Sequence, residues 1–243
     1  TKCAFYYVSD SKNMKMRISN WVINIANQHK TNFTLEECPD LIAHFASIWS
    51  AIYRNEFIQK NNIRMDENIG PYNDTPFVAS VYSTAKSISI IPDGLIYYRQ
   101  DAQGSSSNAV KKTILNYITQ RKINRDILIE NKKFSNAIME KYWKIAYIGS
   151  KDFFNKPNNI YKHQYYKRMK KLFNISSSDK CKFIHFNKRE RRDFLYITLL
   201  PYFIYTLLNV LEKNFSIKND YSNDTKYKIV TIWGKVFKFK IKK

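Results

Sequence analysis

Asp74 is the residue whose type and setting first suggest chemistry. It lies in residues 65–77, MDENIGPYNDTPF, where a turn-forming Gly70-Pro71 pair precedes one carboxylate and an apolar run. An aspartate in this position can cap the helix that follows it. A carboxylate can also take a proton from a reacting hydroxyl group when neighbouring elements hold it against a substrate. The residues before and after this segment provide further evidence on the role of Asp74.

Two helices are predicted around this segment. The first covers residues 39–60, begins at Pro39, and has one apolar face formed by Leu41, Phe45, Ile48, Trp49, Ile52 and Tyr53. Asn61-Asn62 would end it. Residues 62–74 are predicted to form a loop. The second helix covers residues 75–86, with Asp74 at its N-cap or just ahead of it.

Strands are predicted on both sides of these helices. Residues 4–8 are strand-like, and residues 20–26 fit a strand or a short helix. Residues 87–91 and 95–98 are predicted to form two strands joined by a turn at Pro92-Asp93-Gly94. A Gly- and Ser-rich loop is predicted at 103–108, and the composition of the chain changes after it.

The remainder is basic and mainly helical. Residues 109–149 form a helical stretch, and a basic, Tyr-rich segment follows at 160–173. Basic residues at 188–192 precede 18 uncharged residues at 194–211. Residues 227–243 alternate apolar side chains with lysine, as in an edge strand or hairpin. We therefore predict three parts, residues 1–108, 109–175 and 176–243.

Composition favours a folded, basic protein. Hydrophobic residues make up 44% of the 243 residues, enough to bury a core. Lys and Arg number 41 against 20 Asp and Glu, which gives a net charge of +21. Such a surface attracts nucleic acid, anionic lipid or phosphorylated substrates. A solvated basic surface without a partner explains the excess equally well.

Cysteine and histidine give no sign of a metal centre. Cys3, Cys38 and Cys181 are far apart, which fits a reducing compartment better than a disulfide framework. The four histidines lack zinc-ligand spacing, so no metal site is predicted in this chain. No signal peptide is visible. The chain begins at Thr1, not Met, which suggests a fragment.

Taken in order, several pieces of residues 48–108 resemble the family 2 glycosyltransferases with the GT-A fold. The matching pieces are residues 48–57 (IWSAIYRNEF), Glu67, residues 73–77 (NDTPF), residues 88–92 (ISIIP), residues 95–99 (LIYYR), Ser105 and Ser106. The resemblance covers roughly the first 110 residues. It implies an α/β fold: the C-terminal part of a GT-A-like domain, a mixed sheet with flanking helices. A mainly helical basic tail and a short C-terminal β-hairpin would follow.

The resemblance implies inverting transfer of a sugar from a nucleotide diphosphate to a hydroxyl group of a glycan or lipid-linked glycan. Asp74 matches the last residue of the family's acidic pair and would be the catalytic base. Asn73 stands where the preceding acidic residue is usual, and would help to bind the acceptor. The alternative for Asp74 is a helix cap, which is compatible with the catalytic role.

The resemblance also assigns substrate contacts. Trp49 would form a wall for the acceptor sugar, and Glu67 would bind its hydroxyl groups. Arg99, Ser105 and Ser106 would contact the donor diphosphate. The purely structural alternatives are a core position for Trp49, a solvated carboxylate for Glu67 and a surface ion pair with Asp101 for Arg99.

The donor half of such an enzyme is expected outside this chain. The family binds its nucleotide on an N-terminal sheet that carries a DxD metal motif, and no DxD occurs in the sequence. A divalent Mg or Mn ion is expected only in the complete enzyme. Taken alone, the chain should not transfer sugars.

The expected setting is bacterial surface polysaccharide synthesis, of the capsule or lipooligosaccharide type, at the cytoplasmic face of the cell membrane. Residues 194–211 fit a buried or membrane-surface helix better than a spanning one, because Pro201 interrupts them. Basic residues at 188–192 suit anionic lipid. A nucleic-acid-binding module and a non-catalytic membrane-docking scaffold stay open as alternatives. No signature of a nucleic-acid-binding family supports the former.

Overall fold

The computed structural model describes eight stretches of the chain. They are residues 1–9, 17–29, 32–70, 72–101, 112–156, 160–222, 225–232 and 235–240. The chain divides into two compact units, residues 1–191 and residues 192–243.

A three-stranded sheet organises the start of the first unit. Its strands are β1 (Lys2–Val8), β2 (Arg17–Ile18) and β3 (Ile90–Arg99), in the order β2-β1-β3. β2 runs antiparallel and β3 parallel to β1. The strand predicted at residues 4–8 is confirmed. Residues 20–26 lie in a helix, α1 (Asn20–His29).

The hairpin predicted at residues 87–98 is wrong. Residues 92–94 lie inside the single strand β3, at the place where its register with β1 shifts. Proline and glycine mark an irregularity in this edge strand instead of a turn. Gly94 permits a close approach, because a Cβ atom there would lie 2.3 Å from the Tyr6 ring.

The single helix predicted at residues 39–60 is also wrong. The segment forms two 3-10 turns, Pro39–His44 and Ile48–Ser50, and then the short helix α2 (Asn55–Lys60). Ser47 between the turns has φ of +62°, and Ala51 is extended and bridges to Lys2. The apolar spacing is real, since Leu41 and Phe45 are buried, but contacts with β1 break the helix.

Lys2 is the side chain that, together with backbone hydrogen bonds between Thr1 and Ile52, holds this segment to the sheet. Its ammonium donates to Ser50 Oγ at 2.6 Å and to the Ser47 carbonyl at 3.1 Å. The side chain is buried, and Nζ lies 5.6 Å from the centre of the Trp21 ring. Burial lowers the pKa of Lys2 to about 8. Burial, with the Lys2 charge as a smaller cause, also lowers the pKa of His44 to about 3.

Helices complete the first unit. The helix predicted at residues 75–86 is confirmed as α3 (Asp74–Thr84). The helical stretch predicted at 109–149 forms two helices, α4 (Asn116–Glu130) and α5 (Asn136–Phe154), which end and begin around residues 131–135. The basic segment at 160–173 forms α6 (Lys162–Asn174). Large rings fill the core between them, including Tyr142, Trp143, Tyr165 and Phe173.

The second unit combines a helix pair with a sheet. Helix α7 (Lys188–Leu199) enters it, and α8 (Tyr202–Asn214) follows directly. The apolar segment 194–211 is therefore two helices broken at Pro201, which lacks a donor for a continuous helix. Strands β4 (Phe215–Ser222), β5 (Thr225–Ile232) and β6 (Lys235–Lys240) form an antiparallel sheet in sequence order. The predicted C-terminal hairpin is confirmed, with one strand more.

The described chain is thus a mixed α/β protein, mostly helical, with small sheets. Its assignment to the C-terminal part of a GT-A-like domain, and the three predicted parts 1–108, 109–175 and 176–243, stay predictions. Within the described residues, no helix is both long and apolar enough to cross a bilayer.

Replacing Lys2 tests the energetic cost of its burial. Between pH 8 and 10.5 the unfolded chain keeps a proton on Lys2 that the folded chain has lost, so the free energy of unfolding should rise with pH. The slope should approach about 1.4 kcal/mol per pH unit. Urea unfolding of Lys2→Met should lack this rise, whereas the exposed control Lys60→Met should retain it. Equal slopes in all three proteins would contradict the account.

Candidate active site around Asp74

Asp74 is the first residue of α3 and is partly buried. Burial raises the pKa of its carboxyl above the ordinary value. The backbone N–H groups of Thr75 and Asp74 itself and the charge of Arg121 oppose this shift. Asn73 occupies the cap position, and its side chain makes no cap hydrogen bond. Asp74 is therefore a desolvated carboxylate at a helix start and not a simple cap.

Buried amides hold the start of α3 against α4. The Thr75 hydroxyl accepts a hydrogen bond from Gln120 Nε2, and Asn124 Nδ2 lies 3.5 Å from the same oxygen. Gln120 and Asn124 are fully buried, so few other partners can replace Thr75. Because Thr75 follows Asp74 directly, this network fixes the backbone that carries the carboxylate.

A phenol and a guanidinium interact electrostatically with Asp74. The Tyr53 hydroxyl donates to the Ile48 carbonyl at 3.1 Å, and burial together with the Asp74 charge raises the pKa of Tyr53 to about 12. Arg121 donates to the Tyr117 hydroxyl at 2.5 Å and lies over that ring. Tyr53 therefore stays neutral at physiological pH, and Arg121 supplies the positive charge.

The loop before α3 is fixed by local geometry. Gly70 has φ of +69° and ψ of −136°, a conformation that essentially only glycine adopts. Asp66 Oδ1 accepts from the Asn68 N–H at 2.9 Å and caps a 3-10 turn, Glu67–Ile69. Asn116 Nδ2 ties this turn to α4 by donating to the Ile69 carbonyl at 3.0 Å. Glu67 itself is exposed on the turn.

Trp49 lies on an aromatic face of the sheet. Its ring stacks on Tyr98 at 4.6 Å and meets Phe5 edge-on at 4.8 Å between ring centres. The side chain is still 38% exposed, so neither a buried core position nor a helix face describes it. Tyr53 links the turn of Trp49 to α3 through the Ile48 carbonyl and an edge contact with Phe77.

The predicted diphosphate contacts are less closely associated with Asp74. Arg99 is the exposed last residue of β3. Side chains alternate along a strand, so Arg99 shares a face with Tyr97, opposite the face of Tyr98 and Trp49. Asp101 accepts a hydrogen bond from Ser9 Oγ at 2.8 Å. Ser105 and Ser106 lie outside the described residues.

The structure thus groups Asp74, Asn73 and the turns of Trp49 and Glu67 around the start of α3. It adds Tyr53 and Arg121, which the sequence pattern did not identify as functional. A cavity of about 1080 Å³ includes Tyr53 in its lining but not Asp74. It reaches Tyr82, two helical turns along α3, so the candidate site is the helix start and not this cavity.

The described residues do not fit the expected metal ion. No group of three or more His, Cys, Asp or Glu side chains among them could hold a metal. Asp74 has Asn73, not a second carboxylate, beside it, and an amide is a weaker ligand for a hard cation. No step through a metal is therefore assigned to these residues.

Comparison with known proteins gives one partial relationship. The chain is 32% identical over 54 residues to EpsJ of Bacillus subtilis strain 168, named as an uncharacterised glycosyltransferase. The match covers 22% of this chain and only 16% of that protein. No protein-family model matches the sequence, and no solved structure matches it either. A segment of the chain is thus related to a glycosyltransferase, with no information on substrates.

Asp74→Asn tests whether the carboxylate is a cap or a desolvated charge. A raised pKa means that the free energy of unfolding falls as pH rises through the pKa of the folded state, and this cost persists at neutral pH. Urea unfolding at pH 7 should show the variant at least as stable as the wild type, with any gain shrinking towards pH 4. The exposed control Asp93→Asn should show no such change. Asparagine caps a helix as well as aspartate does, so a second variant is needed: a loss of about 1 kcal/mol in Asp74→Ala at pH 7 would instead indicate a cap.

Thr75→Val tests the buried amide network. Valine matches threonine in shape but leaves the Gln120 and Asn124 amides without their acceptor, which should cost about 1–3 kcal/mol of unfolding free energy. Thr75→Ser keeps the oxygen and should lose less than half as much. Chemical denaturation measures both variants, and a larger loss in Thr75→Ser than in Thr75→Val would show that packing of the methyl group dominates.

Proposed function

We propose that this chain is the acceptor-side portion of an inverting glycosyltransferase in which Asp74 is the catalytic base. The observation that carries the proposal is the desolvated carboxylate at the start of α3, its pKa raised by burial and its backbone fixed by Thr75. The partial match to a glycosyltransferase supports the same reaction class.

In the proposed reaction Asp74 accepts the proton of an acceptor hydroxyl group. The acceptor oxygen bonds to the anomeric carbon of the donor sugar as the bond from that carbon to the diphosphate breaks. A carboxylate whose pKa lies closer to neutrality is a better base, so burial at this position assists the proton transfer. The backbone N–H groups of Thr75 and Asp74 and, as a smaller cause, the charge of Arg121 oppose this rise in the pKa.

Trp49 is proposed as the acceptor wall. Its ring is held from below by Tyr98 and Phe5 and retains an exposed surface on which a sugar ring can pack. Asn73 and the exposed Glu67 offer hydrogen-bonding groups on the loop that leads to the base. Together they would orient the acceptor hydroxyl towards Asp74.

The nucleotide-sugar donor would be shared with sequence outside these 243 residues. Arg99, Ser105 and Ser106 are proposed to contact its diphosphate, and a divalent ion would be held by the complementary half. A glycan or lipid-linked glycan of a bacterial surface polysaccharide, such as a capsule or lipooligosaccharide, is the proposed acceptor. The reaction would take place at the cytoplasmic face of the membrane.

No observation favours nucleic-acid binding over this proposal. The basic helix α6 carries Tyr165 and Tyr166, and both rings are buried in the core. Buried rings cannot stack on bases, so two of the three tyrosines at residues 160–173 give no stacking surface, and the third, Tyr161, is itself partly buried.

Turnover of nucleotide sugars tests the proposal. The natural full-length protein is incubated with a glycan acceptor and with UDP-glucose, UDP-galactose or UDP-N-acetylglucosamine, and UDP release is measured. Asp74→Asn should lower kcat by at least about a hundredfold, because it removes the base. The exposed control Asp93→Asn should retain activity.

The same experiment separates the base from the acceptor wall. Trp49→Ala should raise KM for the acceptor more than it lowers kcat, because a wall binds the acceptor before and during transfer. Full turnover by Asp74→Asn would exclude Asp74 as base. A wild-type protein that binds acceptor glycan without turnover would favour the non-catalytic scaffold.

A further inference from the structure

Six large apolar side chains of the second unit are exposed on helices α7 and α8. They are Leu195, Leu199, Phe203, Leu207, Val210 and Leu211, and we call this set the apolar ridge. The most exposed of them, Leu199 at 70% and Phe203 at 69%, flank the break at Pro201. A contiguous apolar patch of this kind marks an interaction surface in a water-exposed protein.

Because of their spacing, the residues of the apolar ridge lie on one side of each helix. Leu195 and Leu199 are four residues apart on α7, and Phe203, Leu207 and Leu211 recur every four residues on α8. Side chains four apart lie above one another on a helix surface. Phe194, Ile197 and Tyr205 are buried, so each helix is apolar on a buried side and again on an exposed side.

Two polar contacts join the helices across the break. Arg192 forms an ion pair with Glu212 at 2.8 Å, and the Tyr205 hydroxyl donates to Asp193 at 3.1 Å. The helices therefore fold back on one another, and residues 199–203 form the tip of a hairpin. The ridge extends from this tip along both helices.

The charge around the ridge is positive. Residues 192–243 contain ten Lys or Arg against four Asp or Glu. Lys188 and Arg192 continue the stripe of Leu195 and Leu199 on α7, and both are exposed. An apolar ridge bordered by cations matches a surface that is apolar inside and anionic at its boundary.

Length excludes a spanning role for these helices. α8 has 13 residues, which extend about 20 Å, against a hydrocarbon core of about 30 Å. Tyr196 and Tyr202 are half-buried next to the tip, where an aromatic ring with a polar end suits the boundary between lipid and water. The hairpin is therefore suited to lie in that boundary.

We propose that the apolar ridge docks the protein on an anionic phospholipid bilayer, with Leu199 and Phe203 inserted at the hairpin tip. The inference concerns binding alone and does not depend on the proposed sugar transfer. The lipid head groups supply the negative charge, and the ridge supplies the apolar contact. Docking should weaken as salt screens the basic residues.

Vesicle flotation of the 243-residue chain tests the proposal. The probes are vesicles of phosphatidylcholine alone and equimolar mixtures of phosphatidylcholine with phosphatidylglycerol. The chain should float with the mixed vesicles and much less with the neutral ones. The double variant Leu199→Asn with Phe203→Asn keeps the charge and should weaken binding at least about tenfold, because two apolar side chains no longer enter lipid.

A matched control replaces two equally exposed apolar residues outside the second unit. Ile52 and Ile160 are 81% and 83% exposed, and Ile52→Asn with Ile160→Asn should float like the wild type. Both double variants change only exposed side chains and should keep the circular dichroism spectrum of the parent.

Three results would overturn the inference. The first is a wild-type chain that stays in solution with the mixed vesicles. The second is equal flotation of the Leu199 and Phe203 variant and the control. The third is concentration-dependent dimerisation, seen by light scattering and abolished by Leu199→Asn with Phe203→Asn, which would make a second copy of the chain the occupant of the ridge.

Discussion

The hydrogen bonds at the Thr75 hydroxyl are the constraint on which the candidate site depends. They join α3 to α4 at the one point where the chain also presents Asp74. Gln120 and Asn124 lie almost fifty residues away in sequence and are fully buried, so the contact exists only in the folded protein. A carboxylate used for proton transfer must be held within a fraction of an ångström of its reacting position. Thr75 supplies this rigidity through its own backbone.

Burial of Asp74 lowers the free energy of unfolding and raises the pKa of the carboxyl group, and both effects have the same physical cause. Removing a carboxylate from water disfavours its charged form, which is a cost to the folded state and a gain for a base that must accept a proton. The charge of Arg121 and the N–H group of Thr75 offset part of that cost. Asn73 adds no second negative charge next to Asp74, so desolvation is the main cause of the raised pKa of Asp74.

Local patterns in the sequence predicted α3 and the helical character of residues 112–154 and 162–174, but not the breaks at residues 131–135 and at Pro201. The same reasoning failed at residues 39–60, where Lys2 reaches across from β1 to bind Ser47 and Ser50. It failed again at residues 92–94, whose proline and glycine serve a bulge opposite β1. Asp74 could be found from the turn before it and the helix after it. Arg121 could not, since only the packing of α4 brings its charge to Asp74.

Two features of the chain carry a cost that folding alone does not explain. One is the partly desolvated charge of Asp74, and the other is the exposure of Leu199 and Phe203 to water. Each cost falls when a ligand of the right chemistry arrives: a hydroxyl group whose proton neutralises the carboxylate, and a lipid surface that covers the apolar side chains. The first feature lies in residues 1–191 and the second in residues 192–243, so each can be removed by substitution without altering the other. The proposed catalysis and the proposed docking are therefore separable, and a variant that loses one should keep the other.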